Sequence, residues 1–179
     1  MRLATHVQTE SATEPTSSQW FAMQTKYRFE KKVIAQLEQK GFDIYLPVRA
    51  ERHTWSDRVT NVTIPLFPGY IFVHLDQSQE ARQAVLKTSG LLGFVSFGGV
   101  VVPVPEKQLE HLRRLLEQTV RFSLHPFVQV GQRVRIRGGC LQGLEGVLLR
   151  NEKERLVISI ESIQRSLAIE IAGYELDLV

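Results

Sequence analysis

Five glycines fall between positions 131 and 146, at 131, 138, 139, 143 and 146, among short runs of aliphatic residues. A glycine inside a helix costs about 1 kcal/mol relative to alanine, whereas tight turns use its backbone freedom. The stretch is therefore expected to be short strands joined by turns. Arg133–Arg137, Glu145–Arg150, Leu156–Ile160 and Leu167–Ala172 read as those strands. Together they predict a small β-barrel over residues 128–179, near the lower size limit for an autonomous domain. Leu156, Ile160, Ile163, Leu167 and Ile171 also match a helical stripe. The alternation of Leu156, Ile158 and Ile160, and of Leu167, Ile169 and Ile171, favours strands, as does their β-branching.

The chain before Gln118 has a different texture. Residues 1–18 are rich in Ser, Thr and Glu without a hydrophobic period, which predicts a disordered leader. Trp20–Thr25 has strand character. Phe29, Val33, Ile34 and Leu37 then lie on one stripe of a helix over Phe29–Lys40, closed by Gly41. A strand over Asp43–Val48 follows, and Glu51–Thr63 predicts a hairpin turning at Ser56-Asp57. Tyr70–Leu75 alternates as a strand. Gln77–Thr88 is expected as a helix with Asp76 as its N-cap, and Gly98-Gly99 as a hairpin turn between Phe94–Phe97 and Val100–Val102. Pro105 opens a third helix carrying Leu109, Leu112, Leu115 and Leu116. Helices alternating with antiparallel strands make residues 19–118 an α+β domain. Residues 119–127, with Pro126 and no period, read as a linker.

The chemistry of the chain points away from catalysis. The five histidines show no metal-ligand spacing, the glycines lack the context of a phosphate loop, and Cys140 has no activating neighbour in sequence. No catalytic site, metal site or cofactor is expected. The apolar runs, such as Gly98–Val104, are much shorter than the roughly 20 residues that span a bilayer, and a single cysteine suits a reducing cytoplasm. The charge surplus is small, 22 Lys and Arg against 19 Asp and Glu. It permits nucleic-acid contact without concentrating it on a basic arm.

Two segments remain as candidate binding surfaces. In Pro65-Leu66-Phe67-Pro68-Gly69-Tyr70-Ile71-Phe72-Val73 the prolines restrict the backbone around Phe67. The following strand places Ile71, Val73 and Leu75 on one face and Tyr70, Phe72 and His74 on the other. Those aromatic side chains either form a docking surface or are core covered on both faces. In the second segment Arg133, Arg135 and Arg137 share the outward face of a strand, either as phosphate contacts or as a solubilising surface.

These segments, in this order, resemble the NusG family of transcription elongation factors. Trp20-Phe21-Ala22-Met23-Gln24-Thr25, the helix Phe29–Lys40, the signature at 65–73 and Gly90-Leu91-Leu92-Gly93-Phe94-Val95 resemble its N-terminal domain, and Val128–Arg150 resembles a KOW motif. Trp55-Ser56-Asp57-Arg58 followed by Pro65-Leu66-Phe67-Pro68 is most similar to specialised paralogues such as RfaH and the UpxY-type antiterminators. The resemblance implies a cytoplasmic antitermination factor that binds the clamp helices of the RNA polymerase largest subunit through Phe67, supported by Pro68 and Tyr70. It implies contacts to the non-template DNA strand near Lys26, Lys32, Lys87 and Thr88, with Gln36 and Ser89 replacing basic residues at two matching positions. Leu144 and Ile163 occupy the positions whose aromatic rings hold Rho or a small-subunit ribosomal protein in NusG. Both stay apolar, which suits a ribosomal partner better than Rho. The rival expectation is a KOW-containing ribosomal or RNA-binding protein. RfaH-like relatives can hold the second domain as a helical hairpin. The glycines predict β-structure here, free to stay detached on its linker, with Phe67 exposed.

Overall fold

The computed structural model describes residues 18–54, 59–118, 121–128, 131–149, 155–171 and 173–179. The expected turn at Ser56-Asp57, with Trp55 and Arg58, lies outside them, as does the leader up to residue 17.

Strand β1 (Gln19–Thr25) is the centre of the first domain. It leads into helix α1 (Glu30–Gln39), whose Val33 and Leu37 are fully buried, and Gly41 follows the helix at φ +83°. Strand β2 (Asp43–Tyr45) is shorter than expected because Pro47 interrupts it; a long hairpin, β3 (Val48–Thr54) and β4 (Val59–Pro65), stands beside the main sheet. Strand β5 (Tyr70–Leu75) returns antiparallel to β1, pairing Phe21 with Val73 and Met23 with Ile71.

Helix α2 (Gln79–Leu86) starts two residues later than the Asp76 cap predicts. Ser78 is the cap: its hydroxyl accepts from the Ala81 N–H at 3.2 Å, while Asp76 Oδ1 accepts from the Ser78 N–H at 2.8 Å. Asp76 thus braces the capping residue. Strand β6 (Leu91–Phe94) follows, then a small hairpin of β7 (Ser96–Phe97) and β8 (Val100–Val101). Gly98 and Gly99 turn it with φ +56° and +81°, the pair of positive angles that a two-residue hairpin needs. Strand β9 (Pro103–Val104) and helix α3 (Glu106–Glu117) complete the domain. The sheet runs β2-β5-β1-β6, and β9 also pairs with β1.

The sheet has two different faces. On one, Phe21, Met23, Ile71, Val73 and Leu75 pack against Val33 and Leu37 of α1 and Val85 of α2. On the other lie Trp20, Ala22 and Phe72, in one apolar cluster with Leu109, Leu112 and Leu115 of α3.

The second domain is all β, as predicted. Its strands are β10 (Phe122–His125), β11 (Gln132–Arg137), β12 (Glu145–Leu149), β13 (Arg155–Ile160), β14 (Arg165–Glu170) and β15 (Glu175–Leu178). They form a six-stranded antiparallel sheet in the order β10-β14-β13-β12-β11-β15. Leu156 faces Ile169 and Ile158 faces Leu167 across β13 and β14, so the helical alternative for this stretch is not taken. Two strands, β10 and β15, are additions. Phe122–His125 falls in the expected linker, and instead of connecting freely it pairs with Phe122 opposite Ile169. Pro126 sits just past that strand, where it ends pairing without preventing it.

The domains are docked, which overturns the expectation of a detached second domain. Val134, Ile136, Leu144, Ile158 and Ile163 belong to the same cluster as α3 and the aromatic sheet face. A polar rim surrounds it. Lys107 Nζ donates to Glu145 Oε2 at 2.8 Å, Arg114 donates to the Gln142 carbonyl, and the Glu161 N–H donates to Gln108 Oε1 at 3.3 Å. The His111 imidazole is buried in this joint beside a cleft of about 560 Å³ that Lys107, Arg133, Glu145 and Ser159 help to line.

Gly146 has no room for a side chain, because a Cβ there would lie 2.4 Å from the Val157 carbonyl oxygen. Gly146→Ala should therefore cost about 2 kcal/mol in urea unfolding, in the range of overpacked cores. Gly138→Asn, at a positive φ with open space around it, should cost much less. Equal losses would contradict the packing described.

The joint should also respond to acid. Burial holds the His111 pKa below its ordinary value; Glu145 opposes that shift, Lys107 and Arg114 add to it, and Glu110 opposes it. Glu145 is itself held low, mainly by the hydrogen bond from Lys107, and so stays ionised through this range. A histidine depressed in the folded state contributes stability that is complete above about pH 6.5 and is lost as pH falls toward the depressed value. Docking should thus weaken below that pH, read from amide chemical shifts of β12 and α3. His111→Leu should abolish this response.

Candidate partner-binding faces

Phe67 to Tyr70 form a tight turn. The Tyr70 N–H donates to the Phe67 carbonyl at 3.1 Å, with Pro68 and Gly69 at its two central positions and Gly69 at φ +81°. This is the type II arrangement, in which proline presets the first corner and glycine accepts the positive angle of the second. The turn is tied down on both sides. The Leu66 N–H donates to the Pro47 carbonyl at 2.8 Å, the Thr25 N–H to the Gly69 carbonyl at 2.9 Å, and the Gly69 N–H to Glu30 Oε1 at 2.8 Å.

The three residues expected to meet polymerase are adjacent but unequally placed. Pro68 is exposed and Tyr70 half-buried, whereas Phe67 is only 2% exposed. The expected open ring is thus covered, within an apolar cluster that takes in residues of both domains. A cleft of about 540 Å³ separates the turn from that domain, lined by Leu66, Phe67 and Pro68 on one side and Leu124, Pro126 and Arg165 on the other. Leu144 and Ile163 are also buried, in the cluster that contains Phe67. The candidate partner surfaces of the two domains therefore contribute to one shared core.

Electrostatics reinforce the sheet side of this joint. The Arg113 guanidinium on α3 lies 5.1 Å from the Trp20 ring centre and 4.7 Å from that of Tyr45, both within cation–π range. Tyr45 in turn stacks on Phe72 at 6.1 Å. Its hydroxyl pKa is pushed up to about 12, chiefly by burial and against the pull of Arg113.

The second face lies at the α1 end of β1. Lys26, Lys32 and Lys87 are exposed there. Thr88 is not available: it is 3% exposed, and its hydroxyl accepts from Lys40 Nζ at 2.7 Å. Resemblance places a residue along the chain but does not say which way its side chain turns. Gln36 Nε2 likewise donates inward, to the Ser89 carbonyl at 3.1 Å. Tyr27, not among the residues expected here, is 69% exposed between two cations, with the Arg28 guanidinium 5.3 Å from its ring centre. The run Lys26-Tyr27-Arg28, an aromatic side chain between basic ones, is the signal that could have found it.

The arginine row behaves as an outer face. Arg133, Arg135 and Arg137 are exposed while Val134 and Ile136 are buried. Arg135 pairs with Glu145 at 2.6 Å and Arg137 with Asp177, so much of the row's charge is met by neighbouring strands.

Comparison with known proteins agrees with this architecture. The family described as transcription termination factor nusG matches residues 18–113. Transcription termination/antitermination protein NusG of Lactococcus lactis subsp. lactis (strain IL1403) is 27% identical, over 88% of this chain and 91% of its own. That of Staphylococcus carnosus (strain TM300) is 25% identical, over 88% and 94%. The solved structure "Domain interaction in Thermotoga maritima NusG" shares the fold with a TM-score of 0.52 at 24% identity, covering 91% of this chain and 98% of that one. An aromatic turn on a two-faced sheet, followed by an all-β second domain, thus coincides with a match over more than half of the chain, and the protein belongs to the NusG family of transcription termination/antitermination factors.

Proposed function

We propose that this chain is a specialised NusG-family antitermination factor that docks on RNA polymerase, at the clamp helices of the largest subunit, and keeps transcription of particular operons processive. The observation that carries the reading is the covered ring of Phe67. It sits in a rigid Pro-Gly turn, and part of the cluster that buries it comes from another domain. A surface held together across a domain boundary can be exchanged for a partner of similar apolar character. In the docked arrangement the second domain occupies the face that polymerase would use. Opening frees Phe67 and Tyr70, beside the already exposed Pro68, for polymerase, and Leu144 and Ile163 for a small-subunit ribosomal protein; without aromatic rings there, Rho is not expected to bind.

The basic end of β1 supports a second contact, to the non-template DNA strand. Lys26, Lys32 and Lys87 supply charge there, and Tyr27 offers a flat face on which an unpaired base can stack. The rival reading, a ribosomal or RNA-binding protein working through Arg133, Arg135 and Arg137, gives way to the family match and to the acidic partners of Arg135 and Arg137.

Reversing charge at the rim should weaken the joint, because Lys107→Glu meets Glu145 and Arg114→Glu faces the Gln142 carbonyl. The double variant should bind core polymerase more tightly than wild type in a titration. Phe67→Ala on that background should then lose about 2 kcal/mol, about 30-fold in affinity. Binding that is indifferent to Phe67 would sink the docking reading.

Three phosphate contacts on a single strand give a plot of log affinity against log salt a slope of about −2. Replacing Lys26, Lys32 and Lys87 together with alanine should flatten it toward zero. An unchanged slope would remove the DNA contact and leave docking untouched.

A further inference from the structure

Glu30 is an unusual residue to bury. It opens α1, is only 4% exposed, and forms no ion pair with lysine or arginine among the described residues. A carboxyl group removed from water needs compensation, and a position in the first turn of a helix supplies some of it. The rest comes from one hydrogen bond across 39 residues of sequence: Glu30 Oε1 accepts from the Gly69 N–H at 2.8 Å. Gly69 is the corner of the turn that carries Phe67, and as a glycine it is the turn's least restricted residue.

We infer that Glu30 is a positioning residue for polymerase docking: by holding the Gly69 amide it fixes the Phe67–Tyr70 turn in the shape that presents Phe67. The inference rests on the docking reading above. In the closed protein the apolar packing that buries Phe67 takes in residues of the second domain, so the contribution of Glu30 is partly masked. Once the domains separate, that packing is gone. The tethers left to the turn are then Glu30, the backbone bonds from Leu66 and Thr25, and the bond within the turn itself. Glu30 is the one tether of these made by a side chain, and it can therefore be removed by substitution. The same helix start follows directly on Lys26–Phe29, so the anchor of the docking turn is built into the base of the basic face.

The test uses the full chain carrying Lys107→Glu and Arg114→Glu. Glu30→Gln keeps a carbonyl oxygen able to accept from Gly69, whereas Glu30→Ala removes it. Glu30→Ala should lower polymerase affinity about tenfold, the scale of a lost hydrogen bond to a carboxyl group, and Glu30→Gln should stay near the parent. Amide hydrogen exchange supplies a readout independent of polymerase. The Gly69 amide should exchange about tenfold faster in Glu30→Ala, while Phe21 and Val73 in the β1–β5 ladder keep their protection. Faster exchange at all three amides would show a merely structural role and overturn the inference. Normal polymerase binding by Glu30→Ala, with Phe67→Ala defective, would overturn it and leave the docking reading standing. If neither substitution matters, both readings fall.

Discussion

The antiparallel pairing of β1 with β5 sets the terms for everything built around it. Its register places Phe21 and Met23 opposite Val73 and Ile71 on one side, and Trp20 and Ala22 opposite His74 and Phe72 on the other. A strand alternates its side chains, so a pair apolar on both faces must be covered twice. Helices α1 and α2 cover the first face from within the domain. The second carries Trp20 and Phe72, and α3 meets it with one leucine stripe in a cluster that continues into the second domain. Docking of the two domains is thus a consequence of a two-faced sheet whose second face, covered by α3, shares its apolar cluster with the second domain.

The joint combines an apolar centre with a rim of modest polar contacts. The Lys107–Glu145 pair is exposed on its lysine side, where ion pairs contribute about 1 kcal/mol or less. Apolar burial carries the association, and the rim sets its register. Such a joint suits exchange: its centre can be satisfied by any surface of matching shape, and its rim costs little to break. Arg113, by contrast, lies between Trp20 and Tyr45 and binds α3 to its own sheet. The helix therefore stays with the first domain whichever partner covers it.

Much of this could be read from the residues, because the patterns concerned are local. The Leu109–Leu115 stripe, the alternation in Tyr70–Leu75 and the glycine spacing after 131 each report on neighbours a few positions away. Most of the departures originate in distant chain, and one in a local choice between two capping residues. Asp76 lost the cap to Ser78 because both residues can fill that place, and only the helix's actual start decides between them. Phe122–His125 became a strand because β14 offered it an edge 40 or so residues further on. Phe67 was legible as the apex of a constrained turn, but the cluster that buries it takes in residues far along the chain, in both domains. Thr88 and Tyr27 show the same limit at the basic face, where only the folded backbone determines which side chain turns inward.

Strand β10 has a mechanical meaning beyond completing a sheet. While it is paired with β14, only residues 118–121 join α3 to the second domain, a connection of four residues that reaches about 14 Å at most. If β10 comes away, the connection becomes residues 118–131, fourteen residues with a root-mean-square span of about 20 Å as a random coil. The leash therefore has two lengths. On the short one, the second domain remains at high effective concentration beside its docking face and rebinds at once after any local opening. On the long one it samples a much larger volume, and an external surface has time to arrive first. Peeling one edge strand changes the competition between a tethered domain and an external partner chiefly through the length of the leash, and removes Phe122 from the shared cluster as it does so.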